Sequence, residues 1–266
     1  MNVPSPWTPD ILRGMERRLC LKEVDFYPSI DSTNSLALTR VREDALVAPT
    51  LVLAQEQVAG RGRSQNQWWS TNGSLTFSIV LDSPEASKVP VLPLVMGVAV
   101  LRAMNFLVGS DRGIQLKWPN DIYWGHRKLA GLLVESVGGK RSVVVGCGLN
   151  VNQSMDEAPE EIRHQSTSLF EMVGRTHPLP EVLETILKQM LTAHREFLDQ
   201  DSSWLAEYRA SCWLSGHVVQ LCQGNQTWVG RCLGIDKTGH LVLETEQGTR
   251  NMSSGTVRRL EQAEEF

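Results

Sequence analysis

Two glycine–arginine pairs stand side by side in VAGRGRSQNQWWS, Val58 to Ser70, directly after the apolar run TLVLAQEQ. Glycine lets the backbone come close to a ligand or take a positive φ. Arginine offers a planar donor fork that suits a carboxylate or a phosphate. Gly60, Arg61, Gly62 and Arg63 could therefore cradle an anion, with Trp68 giving a flat face to a planar base. The spacing is neither GxxxxGK[ST] nor GxGxxG, because Gln65 stands where the second pattern needs glycine. An anion site here would depend on arginine side chains more than on a helix N-terminus. On its own the segment could equally be a nucleic-acid patch or a solvated turn over a core tryptophan.

A second group of reactive types lies in LKWPNDIYWGHRKLAGLLVES. Pro119 fixes a turn, Asn120 and Asp121 put an amide and a carboxylate at its tip, and Lys128 stands at the entrance of the next strand. An ammonium entering a buried strand is costly unless it meets an anion, and Ala130 and Gly131 leave room beside it. A snorkelling lysine beside an ordinary β-turn is the plainer account. In VVVGCGLNVN, Gly146, Gly148 and Asn150 end an apolar strand, where small residues can admit a ligand.

The elements that must position these groups follow from hydrophobic periodicity. DSTNSLALTRV predicts a helix capped by Asp31 or Ser32. TLVLAQE and SLTFSIVL predict buried strands, and PLVMGVAVLRAMNFLV a buried helix. IQLKWPNDIYW and RSVVVGCGLNV supply further strand and turn pieces. PEVLETILKQMLTAHREFL has the clearest helical spacing, with Glu181 and Glu184 near its start. After Trp213 short alternating runs between the turn signals GN and KTG predict a small β-barrel. The expected division is an N-terminal extension over residues 1–22, a catalytic domain over 23–212 and a small β domain over 213–266.

With 266 residues, 41% of them hydrophobic, the chain can bury a substantial core. A net charge of −4 and a pI near 5.9 give no global field favouring nucleic acid. The five cysteines form no CxxC pair, which suits free thiols in a reducing compartment. The histidines lack metal-ligand spacing. The N-terminus has no secretory apolar region, and the Val89–Val108 run is broken by prolines and polar residues, which argues against a membrane span. A cytoplasmic protein is expected.

Taken in order, DSTN, EQxxGRGRxxxxW, KWPND, RKLAG and GxGxNV with TSL resemble the biotin protein ligase family, over roughly Val24 to Arg259. The resemblance implies an α+β fold with a mixed sheet, of the class II synthetase type, followed by an SH3-like barrel. It implies ATP with Mg2+, biotin as substrate, formation of biotinyl-5′-AMP, and transfer to a lysine of a biotin carboxyl carrier protein. By the same resemblance, Ser32, Thr33, Asn34 and Gln57 would line the biotin pocket. Gly60 and Gly62 would let the loop backbone come near it. Arg61 and Arg63 would hold carboxylate and α-phosphate, and Trp68 would cover adenine. Lys128 would stabilise developing charge and hold the adenylate, with Asp121 orienting or deprotonating the incoming lysine. Gly131 and Gly148 would allow backbone approach, while Asn120 and Asn150 would face the nucleotide or metal. Arg258 or Arg259 could contribute from the barrel, although a surface pair is the simpler reading.

The family loop often reads GRGRxGRxW, whereas here Gln65-Asn66 replace the second Gly-Arg, removing a cation and a flexible point. About 23 residues precede the catalytic region, too few for the helix-turn-helix repressor domain of bifunctional members, so no DNA partner is expected. No membrane partner is expected either, and a homodimer through sheet edges is possible. Rival readings are a lipoate- or octanoate-type ligase of the same fold, a non-enzymatic adaptor using the barrel, and a nucleic-acid-binding module, whose binding would weaken steeply with salt. An exposed polar loop of this kind can act as a lid. Limited proteolysis between Ala59 and Trp69 is expected to slow when biotin and ATP are added together; an unchanged cleavage rate would remove the lid.

Overall fold

The computed structural model of the chain describes residues 5–260, so residues 1–4 of the expected extension and 261–266 of the expected C-terminal domain lie outside the described residues. The elements run α1 (Pro9–Leu19), β1 (Glu23–Ile30), α2 (Thr33–Arg42), β2 (Thr50–Gln57), β3 (Ser74–Asp82), α3 (Leu92–Val108), β4 (Ile114–Lys117), β5 (Asp121–Trp124), β6 (Arg127–Ser136) and β7 (Ser142–Asn150). Helices α4 (Glu160–Arg163), α5 (Leu169–Val173), α6 (Leu179–Leu198) and α7 (Ser203–Ala210) follow. Then come β8 (Val218–Gln223), β9 (Gln226–Ile235), β10 (Leu241–Thr245), β11 (Gly248–Met252) and β12 (Thr256–Arg259).

Strands β1 to β7 form one sheet in the order β1-β2-β3-β7-β6-β5-β4, with β1 and β2 parallel and the remaining pairs antiparallel. The central strands read as unbroken apolar runs because both faces are covered. Leu51, Leu53, Ile79, Leu81, Val143 and Val145 belong to the larger core, in which α3 and α6 also pack. The alternate residues Val52, Val80 and Val144 pack with Ala37, Leu38 and Val41 of α2 on the other face. Helix α3 takes up most of the apolar Val89–Val108 run, and its buried residues include Leu94, Val98, Leu101 and Met104. Ser32 is the cap of α2, its hydroxyl accepting the Ser35 amide.

The N-terminal segment is built into this core. Met15 of α1 is fully buried, Leu19 and Trp7 lie in the same cluster, and Arg18 makes two hydrogen bonds of 2.9 and 2.6 Å to Glu184 on α6. The guanidinium holds the Glu184 carboxyl down, to about 2. The SH3-like C-terminal domain is an antiparallel sheet ordered β11-β10-β9-β8-β12. It shares the larger core through Leu214, Val219, Leu221 and Leu241. Backbone bonds of 2.8 Å link Leu116 to Ser211 and to Trp213, and the Trp118 indole donates to Gly239 O at 3.0 Å.

Removing the Met15 side chain would leave a cavity under α1. Met15→Ala is expected to lower unfolding stability by about 2–5 kcal/mol in urea titration. A loss below about 0.5 kcal/mol would show that α1 is only loosely attached.

Candidate active site

The register of the large sheet sets the floor of a cleft on its α2 face. One cross-strand row runs Thr76, Gly148, Gly131, Asp121 and Lys117; the neighbouring row contains Val52, Ser78, Gly146 and Leu133. Small residues at 131, 146 and 148 thin the sheet surface, and the charged residues gather where the row approaches the β4 edge. The loop after β2 closes one side. It folds back on itself through Gly62 N to Asn66 O (2.7 Å) and Trp68 N to Gly60 O (2.9 Å). Thr256 and Val257 of β12 line another side, and the cleft holds a cavity of about 150 Å3.

The inner end is polar and buried. Gln57 Oε1 accepts from the Thr33 amide at 2.8 Å and from the Thr33 hydroxyl at 3.0 Å. Ser78 Oγ lies 2.8 Å from both Thr33 Oγ1 and Asn34 Oδ1, so its single hydrogen can serve either. Asn34 Nδ2 donates to Glu135 Oε2 at 2.7 Å. A Cβ on Gly146 would come within 2.5 Å of Asn34 Oδ1, which explains glycine there. These groups hold fixed donors and acceptors in an otherwise apolar layer, as recognition of a small polar ring system requires.

The outer end is cationic. Lys128 Nζ meets Asp121 Oδ1 at 2.6 Å. Arg63 Nη1 donates to Asn120 Oδ1 at 3.1 Å, and Asn120 is itself tied to Leu132 O at 2.6 Å. Burial draws the Arg63 guanidinium below its ordinary value, with Asp121 opposing. Lys117 donates to Tyr123 OH at 3.0 Å and lies over the rings of Tyr123 and Trp213. Burial lowers its proton affinity first; Asp121 raises it, and Lys128 and Arg259 lower it further. Arg259 stacks 3.7 Å from the Trp213 ring centroid.

Between the two ends sits Trp68. Its ring covers Gly148 so closely that any Cβ there would overlap it. Its indole Nε1 is buried with no partner among the described residues, and Lys128 Nζ lies 5.9 Å from the ring centroid.

Most of the sequence-derived candidates thus meet in one cleft: Ser32, Thr33, Asn34, Gln57, Arg61, Gly62, Arg63, Trp68, Asn120, Asp121, Lys128, Gly131 and Gly148 all line it. Gly60 lines the adjoining depression outside the loop, and a Cβ there would come within 2.5 Å of Trp68 O. The Arg61 guanidinium turns away to Glu135 Oε1 at 2.9 Å. Asn150 does not line the cleft. Its amide donates to Thr167 O at 2.9 Å and its oxygen accepts from Gln153 at 2.7 Å, so it serves to hold the segment after β7. Of the two arginines of the loop, Arg63 bonds Asn120 within the cleft and Arg61 bonds a carboxylate. Lys117, Ser78 and Glu135 were missed from sequence. Their signals were a lysine at the end of β4, a hydroxyl inside the apolar run SLTFSIVL, and a carboxylate ending LLVE. Arg259, expected as half of a surface pair, is partly buried, while Arg258 is exposed and bonded to Gln220.

Residues 26–152 match the model of the biotin/lipoate A/B protein ligase family, and residues 214–258 that of the biotin protein ligase C-terminal domain. The bifunctional ligase/repressor BirA of Bacillus spizizenii is 30% identical over 254 residues, spanning 93% of this chain and 77% of that protein. The biotin–[acetyl-CoA-carboxylase] ligase of Mycobacterium tuberculosis is 31% identical over 247 residues, 90% of each chain. The structure of biotin protein ligase from Aquifex aeolicus in complex with biotin and ATP superposes with a TM-score of 0.80 at 30% identity, covering 90% of this chain and all of that one. By family models, by relatives along nearly its full length and by fold, the chain is a member of the biotin protein ligase family.

Proposed function

We propose that this enzyme activates biotin with ATP to biotinyl-5′-AMP and then biotinylates a lysine of a biotin carboxyl carrier protein of acetyl-CoA carboxylase. The observation that carries the reading is the junction, in one cleft, of a buried neutral hydrogen-bonding pocket with a cluster of partly dehydrated cations. Such a site accepts an uncharged ring at one end and negative charge at the other.

In the first step a biotin carboxylate oxygen attacks the α-phosphorus of ATP. The bond to the β-phosphate oxygen breaks, and pyrophosphate leaves with the electron pair. Two anions must approach, so cations already in place at the meeting point supply the stabilisation, and the loop and sheet hold the reactants in line. Thr33, Asn34, Gln57 and Ser78 would bind the biotin ring, and Trp68 would face adenine. Arg63 and Lys128 would flank carboxylate and α-phosphate, with Asn120 acting by holding Arg63. Lys117, within electrostatic reach of Arg259, suits the departing pyrophosphate. Mg2+ would enter with the nucleotide. Asp121 is the sole carboxylate lining the cleft among the described residues, and magnesium typically binds substrate phosphates with only one or two carboxylates.

In the second step the carrier ε-amine attacks the acyl carbon, the bond to the phosphate oxygen breaks and AMP leaves. The amine must lose a proton, and Asp121, bridged to Lys128 at 2.6 Å, is the carboxylate at hand to take or direct it. A cytoplasmic location fits these substrates.

Biotin-dependent ATP–pyrophosphate exchange tests the reading, with lipoate as the competing substrate; exchange with lipoate and none with biotin would replace it. Lys128→Ala is expected to lower exchange by about 100-fold or more, the usual scale for losing a preorganised charge donor. Gly148→Ala is expected to unseat Trp68, with an overpacking cost of about 1–3 kcal/mol and a change in tryptophan fluorescence. An unaltered spectrum would show that the ring does not depend on that glycine.

A further inference from the structure

One carboxylate outside the cleft touches both its inner end and the loop that closes it. Glu135, on β6, accepts from Asn34 Nδ2 through Oε2 at 2.7 Å and from Arg61 Nη2 through Oε1 at 2.9 Å. It is not among the cleft-lining residues; it lines the depression on the outer side of the arginine loop, together with Gly60 to Ser64. We propose that Glu135 is a positioning residue that couples the biotin pocket to the loop, fixing the Asn34 amide through one oxygen and anchoring the loop through Arg61 with the other. This rests on reading the inner pocket as the biotin site.

The Asn34 side chain has two chemically opposite ends, and its orientation decides whether a ligand meets a donor or an acceptor. Glu135 accepts only, so it must face the amide nitrogen. That leaves Oδ1 toward Ser78 Oγ at 2.8 Å and hard against Gly146. Leu133 O, 3.5 Å from the same nitrogen, adds a weaker constraint in the same sense.

The second oxygen acts on the loop. Arg61 is bracketed by Glu135 and by Ser35 Oγ, which accepts from Nη1 at 3.3 Å. These are the side-chain bonds that tie this arginine to β6 and to α2, and the Arg61 backbone pairs with Gln67 across the hairpin. Holding Arg61 outward therefore directs Arg63, two residues on, toward Asn120 and the cleft. The two arginines of the motif have separate tasks: Arg61 attaches the loop and Arg63 meets the ligand. Charge-assisted bonds are roughly twice as strong as neutral ones, so the anchor depends on the charge of Glu135, whereas orienting Asn34 needs only an acceptor or a matched amide.

The test compares the parent, Glu135→Ala, Glu135→Gln, Arg61→Ala and the Glu135→Ala/Arg61→Ala double variant. Biotin affinity is read by calorimetry and amide hydrogen exchange over residues 59–69 by mass spectrometry. Glu135→Ala should weaken biotin about tenfold or more, the scale of losing a bond to a charged group. It should also speed loop exchange as much as Arg61→Ala does, with no further increase in the double variant. Glu135→Gln should recover biotin affinity to within about threefold of the parent while leaving the loop fast, a split that general loss of stability would not produce. Parent-like affinity or parent-like loop exchange in Glu135→Ala would overturn the proposal, as would additive loop effects in the double variant. Failure of the parent to bind biotin would instead sink the reading of the pocket, and the loop cycle would still report on the ion pair.

Discussion

A surplus of positive charge confined to one partly buried cleft is the constraint on which this site depends. Arg63, Lys117 and Lys128 line it, with Asp121 as their single carboxylate counterweight among the described residues. Burial has stripped water from Arg63 and Lys117 and weakens the hold of each on its proton. Dehydrated cations without full partners are unfavourable in an unliganded protein, and here Asn120, Tyr123 and the aromatic faces of β5 and Trp213 offset only part of that cost. On the proposed function, an arriving carboxylate and triphosphate would complete the balance. On the same reading, the groups that carry this cost would also be the ones that stabilise two anions as they meet.

The scaffold tolerates this imbalance because the charges sit at the end of a sheet whose centre is buried on both faces. Along a single cross-strand row the side chains pass from Thr76 through two glycines to Asp121 and Lys117. The glycines make a trough into which Trp68 settles. The tryptophan then separates a neutral pocket from a charged one, the division that the two ends of an acyl adenylate would require on the proposed function. Polar groups within the apolar layer are matched closely: Ser78, Thr33, Asn34 and Gln57 form a connected set of bonds that the Asn34 amide extends to Glu135.

Much of this was legible in the sequence, and the parts that were not share a cause. Helices α2, α3 and α6, the central strands and the small β domain follow from local periodicity, and the order of the motifs marked the family before any geometry was known. Sequence order alone cannot say which way a side chain turns. Arg61 and Arg63 look equivalent on paper, yet the hairpin between Gly60 and Trp68 gives them different partners, Glu135 and Ser35 for the first and Asn120 for the second. Asn150 resembles Asn120 at a strand terminus, but Thr167 and Gln153 have already engaged its amide. Ser78 looks like an interruption of an apolar strand until its register with Gly146 places it in the pocket. Glu135, at the end of an apolar run, had no local signal of its partners 74 and 101 residues away.

The same long-range pairing changes what the C-terminal domain is for. The texture of the chain shifts after Trp213, but the packing does not divide there: Leu214, Val219 and Leu241 join the core of the large domain, and Trp118, beside the Asn120 turn, is tied to Gly239. Strand β12 lines the cleft with Thr256 and Val257 and carries Arg259, whose charge reaches Lys117. Both cations lie over the ring of Trp213, which fixes its indole on Gly125 O at 2.7 Å. A domain held only by a linker could not keep Arg259 at a fixed distance from Lys117. Continuity of the core is what allows a residue near the end of the chain to share in the electrostatics of a site begun by Ser32.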